Sequence, residues 1–234
     1  QVMKKGVKLQ ASAIGLLASV GIAEMTVAQR PRVAVLISGN EFAGGAIPEP
    51  GKIFGSNGVM LQAALRELGI DAKLVQVDDD REALIAEWKR SAGVNDLIIS
   101  TGGVSVGDHD LVRPTLDALG AEVIFHGVMQ KPGKPMLFAR LEGTPVFGLP
   151  GNPRAVMVLF LEYVAPFIRA VQAAAEPWMP ADHLPIAQPL SVKGNRAEFR
   201  AVHVARGTVD LLADEGSHML RSLTGANAIA FLPV

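Results

Sequence analysis

The chain has 234 residues, of which 49% are hydrophobic and 19% charged, with a formal net charge of −1 and no cysteine. Bulk disorder, a basic nucleic-acid surface, disulfides, thiolate metal sites and cysteine nucleophiles are thereby excluded. The longest apolar stretch, 155–168, contains Glu162 and Pro166 and is too short to span a bilayer, so the chain reads as soluble and cytoplasmic, with no membrane partner.

Two lysines and an apolar run near the start imitate a signal peptide. The run is laced with Ser and Gly, however, and Glu24 follows it in place of a small-residue cleavage site. The pattern predicts a helix over 11–20, with Ser12 as its N-cap, Ile14, Leu16, Leu17 and Val20 as its apolar stripe and Gly21 as its stop. Residues 1–28 read as the remnant of a preceding domain or linker, docked on a larger body.

The main domain is expected over 29–175. RVAVLI at 32–37 predicts its first strand, followed by the loop Ser38, Gly39, Asn40, Glu41. After a Gly/Pro-rich excursion, Ser56 and Asn57 open a helix that runs to 68 and is stopped by Gly69. A strand at 72–77 ends in Asp78, Asp79 and Asp80, and a helix follows over 82–90. The apolar run at 96–100 is the kind of strand buried on both faces of a parallel sheet. Directly after it come Thr101, Gly102, Gly103, Ser105, Gly107, Asp108 and Asp110, then a helix at 111–119 and a strand at 122–125. A loop at 131–135 (KPGKP), a strand pair at 136–139 and 145–148, and the loop GLPGNP lead into a helix over 154–171. Alternating strands and helices predict a three-layer α/β/α domain with a mostly parallel sheet. The composition shifts at EPWMP, and short runs at 187–192, 198–203 and 208–212 predict a small, barrel-like β domain over 176–234.

Parallel strands place several of these loops on one rim, where open α/β sheets bind ligands. The mixture of carboxylates, two lysines, hydroxyls and glycine-rich backbone suits a phosphorylated ligand together with a divalent cation or oxyanion. Taken singly the features are plainer: Asp79 or Asp80 can simply cap the next helix, and KPGKP can be a stiff turn with two surface lysines. The five histidines show no close metal-ligand spacing. No P-loop or GxGxxG occurs, so a dinucleotide oxidoreductase reading lacks support.

In this order and spacing, STGGVSVGDHD, HGVMQKPGKPMLFA and PVFGLPGNPRAVMVLFLEYVAPFI resemble the molybdopterin molybdenumtransferases, the molybdenum insertases that include the E domain of gephyrin. RPRVAVLISGNEF upstream and AEFRAVHV, SHMLRSL and ANAIAFLP downstream extend the resemblance over essentially the whole chain. It implies an Mg2+-assisted transferase, a homodimer, that takes adenylylated molybdopterin and molybdate, inserts molybdenum and releases AMP. It implies that Glu41, Asp79 and Asp110 form the catalytic and metal-holding acidic set. Gly102, Gly103, Ser105 and Gly107 would wrap the pterin phosphate, and Ser38, Gly39, Ser56, Asn57, Thr101, Val104 and Asp108 join the cofactor-binding set. Lys131 and Lys134, beside Gly133 and Pro135, would meet phosphate or oxyanion charge, and Pro150, Gly151, Asn152 and Pro153 would line the same cleft.

Two residues depart from the family pattern. Asn40 stands where the family has Asp, and Gly55 where it has Asp before the Ser/Thr-Asn pair. Each lost acid, if a direct ligand, weakens Mg2+ on the order of tens-fold. The alternatives are accordingly a catalytically weak scaffold of the same family, or a nucleotide pyrophosphatase of the competence/damage-inducible type. The resemblance also implies a fragment of a longer insertase.

Overall fold

The computed structural model describes residues 2–39, 50, 54–78, 80–104, 111–190, 192, 194–213, 216 and 219–234. Its centre is the buried run Leu97–Thr101 (β3), every residue of which is shielded from solvent. Val33–Ser38 (β1) lies parallel on one side of β3, and Thr144–Leu149 (β7) lies parallel on the other. Lys73–Val77 (β2) extends the sheet beyond β1, while Leu137–Leu141 (β6) and Glu122–His126 (β4) extend it beyond β7. The order is β2-β1-β3-β7-β6-β4, and β6 alone runs against the other five. The β6–β7 hairpin turns through Glu142 and Gly143, at φ 50° and 85°. Two successive positive φ values are what a two-residue turn needs to match the strand twist.

Helices cover both faces. On one, Leu61 and Leu65 of Asn57–Glu67 (α2) pack with Val156 and Leu159 of Pro153–Leu159 (α5) over Val35, Ile99 and Phe147. On the other, Leu84 and Trp88 of Arg81–Val94 (α3) and Leu116 of Val112–Ala118 (α4) pack over Leu36, Ile98 and Val146. Alternating strand residues thus feed two separate cores, as period-two side-chain geometry requires. The three-layer α/β/α reading of the sequence is what the chain adopts.

The helix expected over 154–171 is interrupted. After α5 comes a widened π turn, Phe160–Val164, and then Ala165–Val171 (α6). Pro166 has no N–H to donate, and its ring crowds the carbonyl one turn back, so a wider turn at that point relieves the conflict. The first helix, Ala11–Ser19 (α1), starts after Gln10, and Ser12 lies inside it, not at its cap. Of its apolar stripe only Leu17 is buried; Ile14, Leu16 and Val20 are about half exposed.

A second sheet orders Ala228–Leu232 (β10), Ala197–Ala205 (β8) and Gln130–Lys131 (β5), with Thr208–Leu211 (β9) also paired to β8. β5 comes from the segment expected to be loop. Its register sets Lys131 opposite Glu198, so the KPGKP segment is stitched into the second sheet. Among the described residues of the run expected over 187–192, pairing is confined to the neighbouring bridge Ile186–Val209. Arg221–Thr224 (α7) is a single turn before β10. No helix among the described residues is long and apolar enough to cross a membrane.

Candidate functional site

The strand order locates the site. β1 lies between β2 and β3, so the chain leaves β1 by way of α2 on one face and leaves β3 by way of α4 on the other. The carboxyl ends of β1 and β3 therefore flank a topological switch point, where the loops part and leave a crevice. Ser38 and Gly39 end β1, Thr101–Val104 follow β3, and Pro150–Pro153 follow β7, the next strand along.

A buried clasp fixes these ends. The Asn57 side-chain amide, at the start of α2, donates to Thr101 Oγ1 at 2.9 Å and to the Gly151 carbonyl at 2.8 Å. Thr101 Oγ1 in turn donates to the Pro150 carbonyl at 3.0 Å, and the Gly102 N–H donates to the Leu149 carbonyl at 3.1 Å. One amide and one hydroxyl thus tie α2, β3 and β7 at the rim. Asn57 is 7% exposed and Thr101 1%, so the bonds are shielded from competing water.

The glycines beyond the clasp are required by geometry. Gly102 has φ +92°, and a Cβ there would stand 2.9 Å from the Ser38 carbonyl oxygen. Gly103 has φ +60°, and a Cβ would meet Val112 Cγ2 at 3.3 Å. Gly102 and Gly103 therefore lie pressed on the end of β1, with no side chain of their own over the backbone. Val104 is buried, with its carbonyl 3.3 Å from His126 Nε2 at the end of β4. His126 thus joins the same rim.

The KPGKP segment leaves that rim between β4 and β6. Gly127 N–H donates to the Met136 carbonyl at 2.7 Å and Val128 N–H to the Lys134 carbonyl at 2.9 Å, which pins the base of the excursion. Gly133 sits against Leu159, which a Cβ would approach to 2.8 Å. Tyr163 donates to Gln130 Oε1, and Gln130 Nε2 donates to the Pro132 carbonyl at 3.0 Å. Lys134 is exposed. Lys131 Nζ lies 3.5 Å from the Glu198 carboxylate, which Arg200 also contacts at 2.6 Å. Burial pulls the Glu198 pKa up, but the hydrogen bond and charge of Arg200, with the charge of Lys131, outweigh it and hold the carboxyl below its usual range.

Among the predicted residues, Ser38, Gly39, Asn57, Thr101, Gly102, Gly103, Val104, Lys134, Pro135 and Pro150–Pro153 lie on or beside this one rim, with Lys131 and Gly133 on the excursion from it. Ser56 holds the position before α2 but makes no capping hydrogen bond through its side chain. Asp80 caps α3, accepting from the Ala83 N–H at 2.9 Å. Glu41, Asp79, Ser105, Gly107, Asp108 and Asp110 lie outside the described residues. Among the described residues no three His, Asp or Glu side chains are grouped to hold a metal. Sequence reasoning missed Glu198 and Arg200. Their i, i+2 spacing on a strand does put both side chains on one face, but it carried no mark of burial.

Comparison with known proteins gives the following. Residues 34–170 match the family described as "Probable molybdopterin binding domain". Molybdopterin molybdenumtransferase of Nostoc sp. is 34% identical over 249 aligned positions, covering 100% of this chain and 56% of that protein. Molybdopterin molybdenumtransferase 2 of Mycobacterium tuberculosis is 35% identical, covering 99% of this chain and 60% of its own length. Among solved structures, the molybdopterin biosynthesis MoeA protein from Pyrococcus horikosii superposes with a TM-score of 0.82 at 29% identity, over 99% of this chain and 57% of that one. The chain thus spans a little over half the length of the relatives it matches.

Proposed function

We propose that this chain, which belongs to the family of the "Probable molybdopterin binding domain" and aligns over its whole length with molybdopterin molybdenumtransferases, binds adenylylated molybdopterin on the rim described above and serves molybdenum insertion in cofactor biosynthesis. The observation that carries this reading is the Asn57–Thr101 clasp. It sets the glycine loop after β3 and the GLPGNP loop after β7 side by side at the switch point.

In this reading the backbone at Gly102 and Gly103 takes the phosphate side of the pterin, where no Cβ stands in the way. Lys134 and Lys131 meet phosphate or molybdate charge, and Pro150, Gly151, Asn152 and Pro153 form the opposite wall. Carboxylates repel an oxyanion in a partly desolvated cleft, so an acidic set serves only through a cation. Glu41, Asp79 and Asp110 follow the ends of β1, β2 and β3 in sequence, and those ends share this rim. That placement fits Mg2+ held by these three acids, and the ion when bound supplies positive charge beside the pyrophosphate. The protein's own part is positioning and charge stabilisation, with no covalent step. A cytoplasmic homodimer belongs to the same reading.

The test is calorimetric titration of the purified chain with molybdopterin. Saturable binding in the micromolar range, weakened several-fold by Thr101→Val, is the expected result. Absence of binding up to high micromolar concentration would overturn the reading.

A further inference from the structure

One helix joins the GLPGNP loop to the KPGKP segment. α5 starts at Pro153, directly after GLPGNP, and ends at Leu159, where the π turn Phe160–Val164 continues it. The lysine segment rests on this rod at two points. At the first, Gly133 lies so close to the buried Leu159 that a Cβ would stand 2.8 Å from Leu159 Cγ. At the second, the Tyr163 hydroxyl donates to Gln130 Oε1, and Gln130 Nε2 donates to the Pro132 carbonyl at 3.0 Å. The far end of that relay sets its direction. A carbonyl can only accept, so the Gln130 amide turns its NH2 to Pro132 and its oxygen to the phenol. Gln130 is 3% exposed, and water competes little for these bonds. Leu159 and Tyr163, four positions apart, share a helix face. Tyr163 also lies inside the π turn, an irregularity that helices often carry at functional sites.

We propose that Tyr163 is a positioning residue: through Gln130 it fixes the backbone that carries Lys131 and Lys134 at a set distance from the GLPGNP wall. The proposal rests on the reading that these lysines meet phosphate or molybdate charge. A lysine ammonium rides on a flexible four-carbon stem, so it is placed only as well as the backbone beneath it. The Gly127–Met136 and Val128–Lys134 bonds and the pairing of Gln130 and Lys131 with β8 hold the beginning and the end of the segment. Its middle, Pro132 and Gly133, is held from the helix. Because that helix also starts at the GLPGNP wall, the cations and the wall are spaced before the ligand arrives, and binding loses less freedom. Tyr163 acts through the segment's backbone and not by contact with the ligand.

The test is calorimetry on Tyr163→Phe, which keeps the ring and removes one proton donor, at a temperature where urea unfolding shows it folded. Molybdopterin and molybdate are titrated in turn, and Lys131→Met and Lys134→Met identify which of the two the segment meets. For that probe, Tyr163→Phe is expected to lose about three- to tenfold in affinity. The loss should be greatest at low salt, where the lysine charges count most. With Lys131→Met or Lys134→Met already in place, Tyr163→Phe should lose no more than about twofold. A merely structural role would give the same loss with and without the lysines. Gln130→Met removes both ends of the relay. It should lose as much as Tyr163→Phe, the two together should lose no more than either, and it serves alone if Tyr163→Phe does not fold. Unchanged affinity in Tyr163→Phe, or a loss that is the same without the lysines, overturns the proposal. If neither lysine variant alters either titration, the lysine reading itself fails and the proposal with it. A lysine effect without a Tyr163 effect defeats the positioning role alone.

Discussion

Thr101 carries two jobs with one hydroxyl, accepting from Asn57 and donating to the Pro150 carbonyl, and it is 1% exposed. Thr101→Val keeps the shape, removes both bonds and leaves a buried amide short of a partner. The expected loss of stability is about 1–3 kcal/mol, read from urea unfolding. Gly102→Ala should also cost about 1–3 kcal/mol, because its φ of +92° suits no L side chain and the atom it would strike is backbone, which cannot swing aside. Gly151→Ala is the control. A Cβ there has nothing within 4 Å, so stability should stay within about 0.5 kcal/mol of the parent. Equal losses at Gly102 and Gly151 would contradict the account of the loop. At this scale the close approach at the glycines was legible in the sequence, since glycine pairs after an apolar run announce it, whereas Thr101 was read as a ligand-binding hydroxyl and its place in the clasp was not. Nor was the role of Asn57: Ser-Asn before a helix reads as a cap, and only the packed fold turns that amide inward to a strand three elements later.

Two elements carry acid-sensitive contacts of opposite sign. Arg32 donates through its backbone N–H, Nε and Nη2 to Asp96, at 2.8, 3.1 and 2.9 Å, pinning β1 to β3 at the rim away from the site. Those hydrogen bonds hold the Asp96 carboxyl below its usual range. A depressed folded pKa stabilises the chain above the ordinary carboxylate range and is lost as pH falls through the folded value. Asp96→Asn should therefore lower the urea midpoint at pH 7 and soften its decline in acid. Glu162, in the π turn, behaves oppositely: burial raises its pKa. A raised folded pKa favours the fold below the unfolded value and disfavours it as the group ionises. Glu162→Gln should raise the urea midpoint at pH 7, and the gain should vanish near pH 4, about the ordinary Glu value. A drop at pH 7 would contradict this. The helix itself was legible from its apolar run. The break was not read, although Pro166 marked it: the apolar face continues in phase on both sides, and a periodic pattern hides a single widened turn.

At the scale of the molecule, alternation of strand and helix conveyed the layers, and the structure supplied what alternation cannot, namely strand order. That order puts β1 between β2 and β3 and so makes the switch point. It also exposed a link absent from the sequence reading, in which two residues of a Pro-flanked loop serve as a strand of the second sheet. A two-residue strand has no periodicity to detect, and its partner lies more than sixty residues on. The consequence is that the second sheet bears directly on the loop that carries Lys131 and Lys134, through Glu198.

The central claim is that the loops after β3 and β7 and the segment between β4 and β6 form one ligand surface at the carboxyl rim of the sheet. Amide hydrogen exchange with and without molybdopterin tests it most directly. The account predicts concerted protection of residues 102–104, 131–134 and 151–152, with little change at Asp96, Ala121 and Gly143 on the other rim. Binding that protects the far rim, or one of these loops without the others, would contradict it.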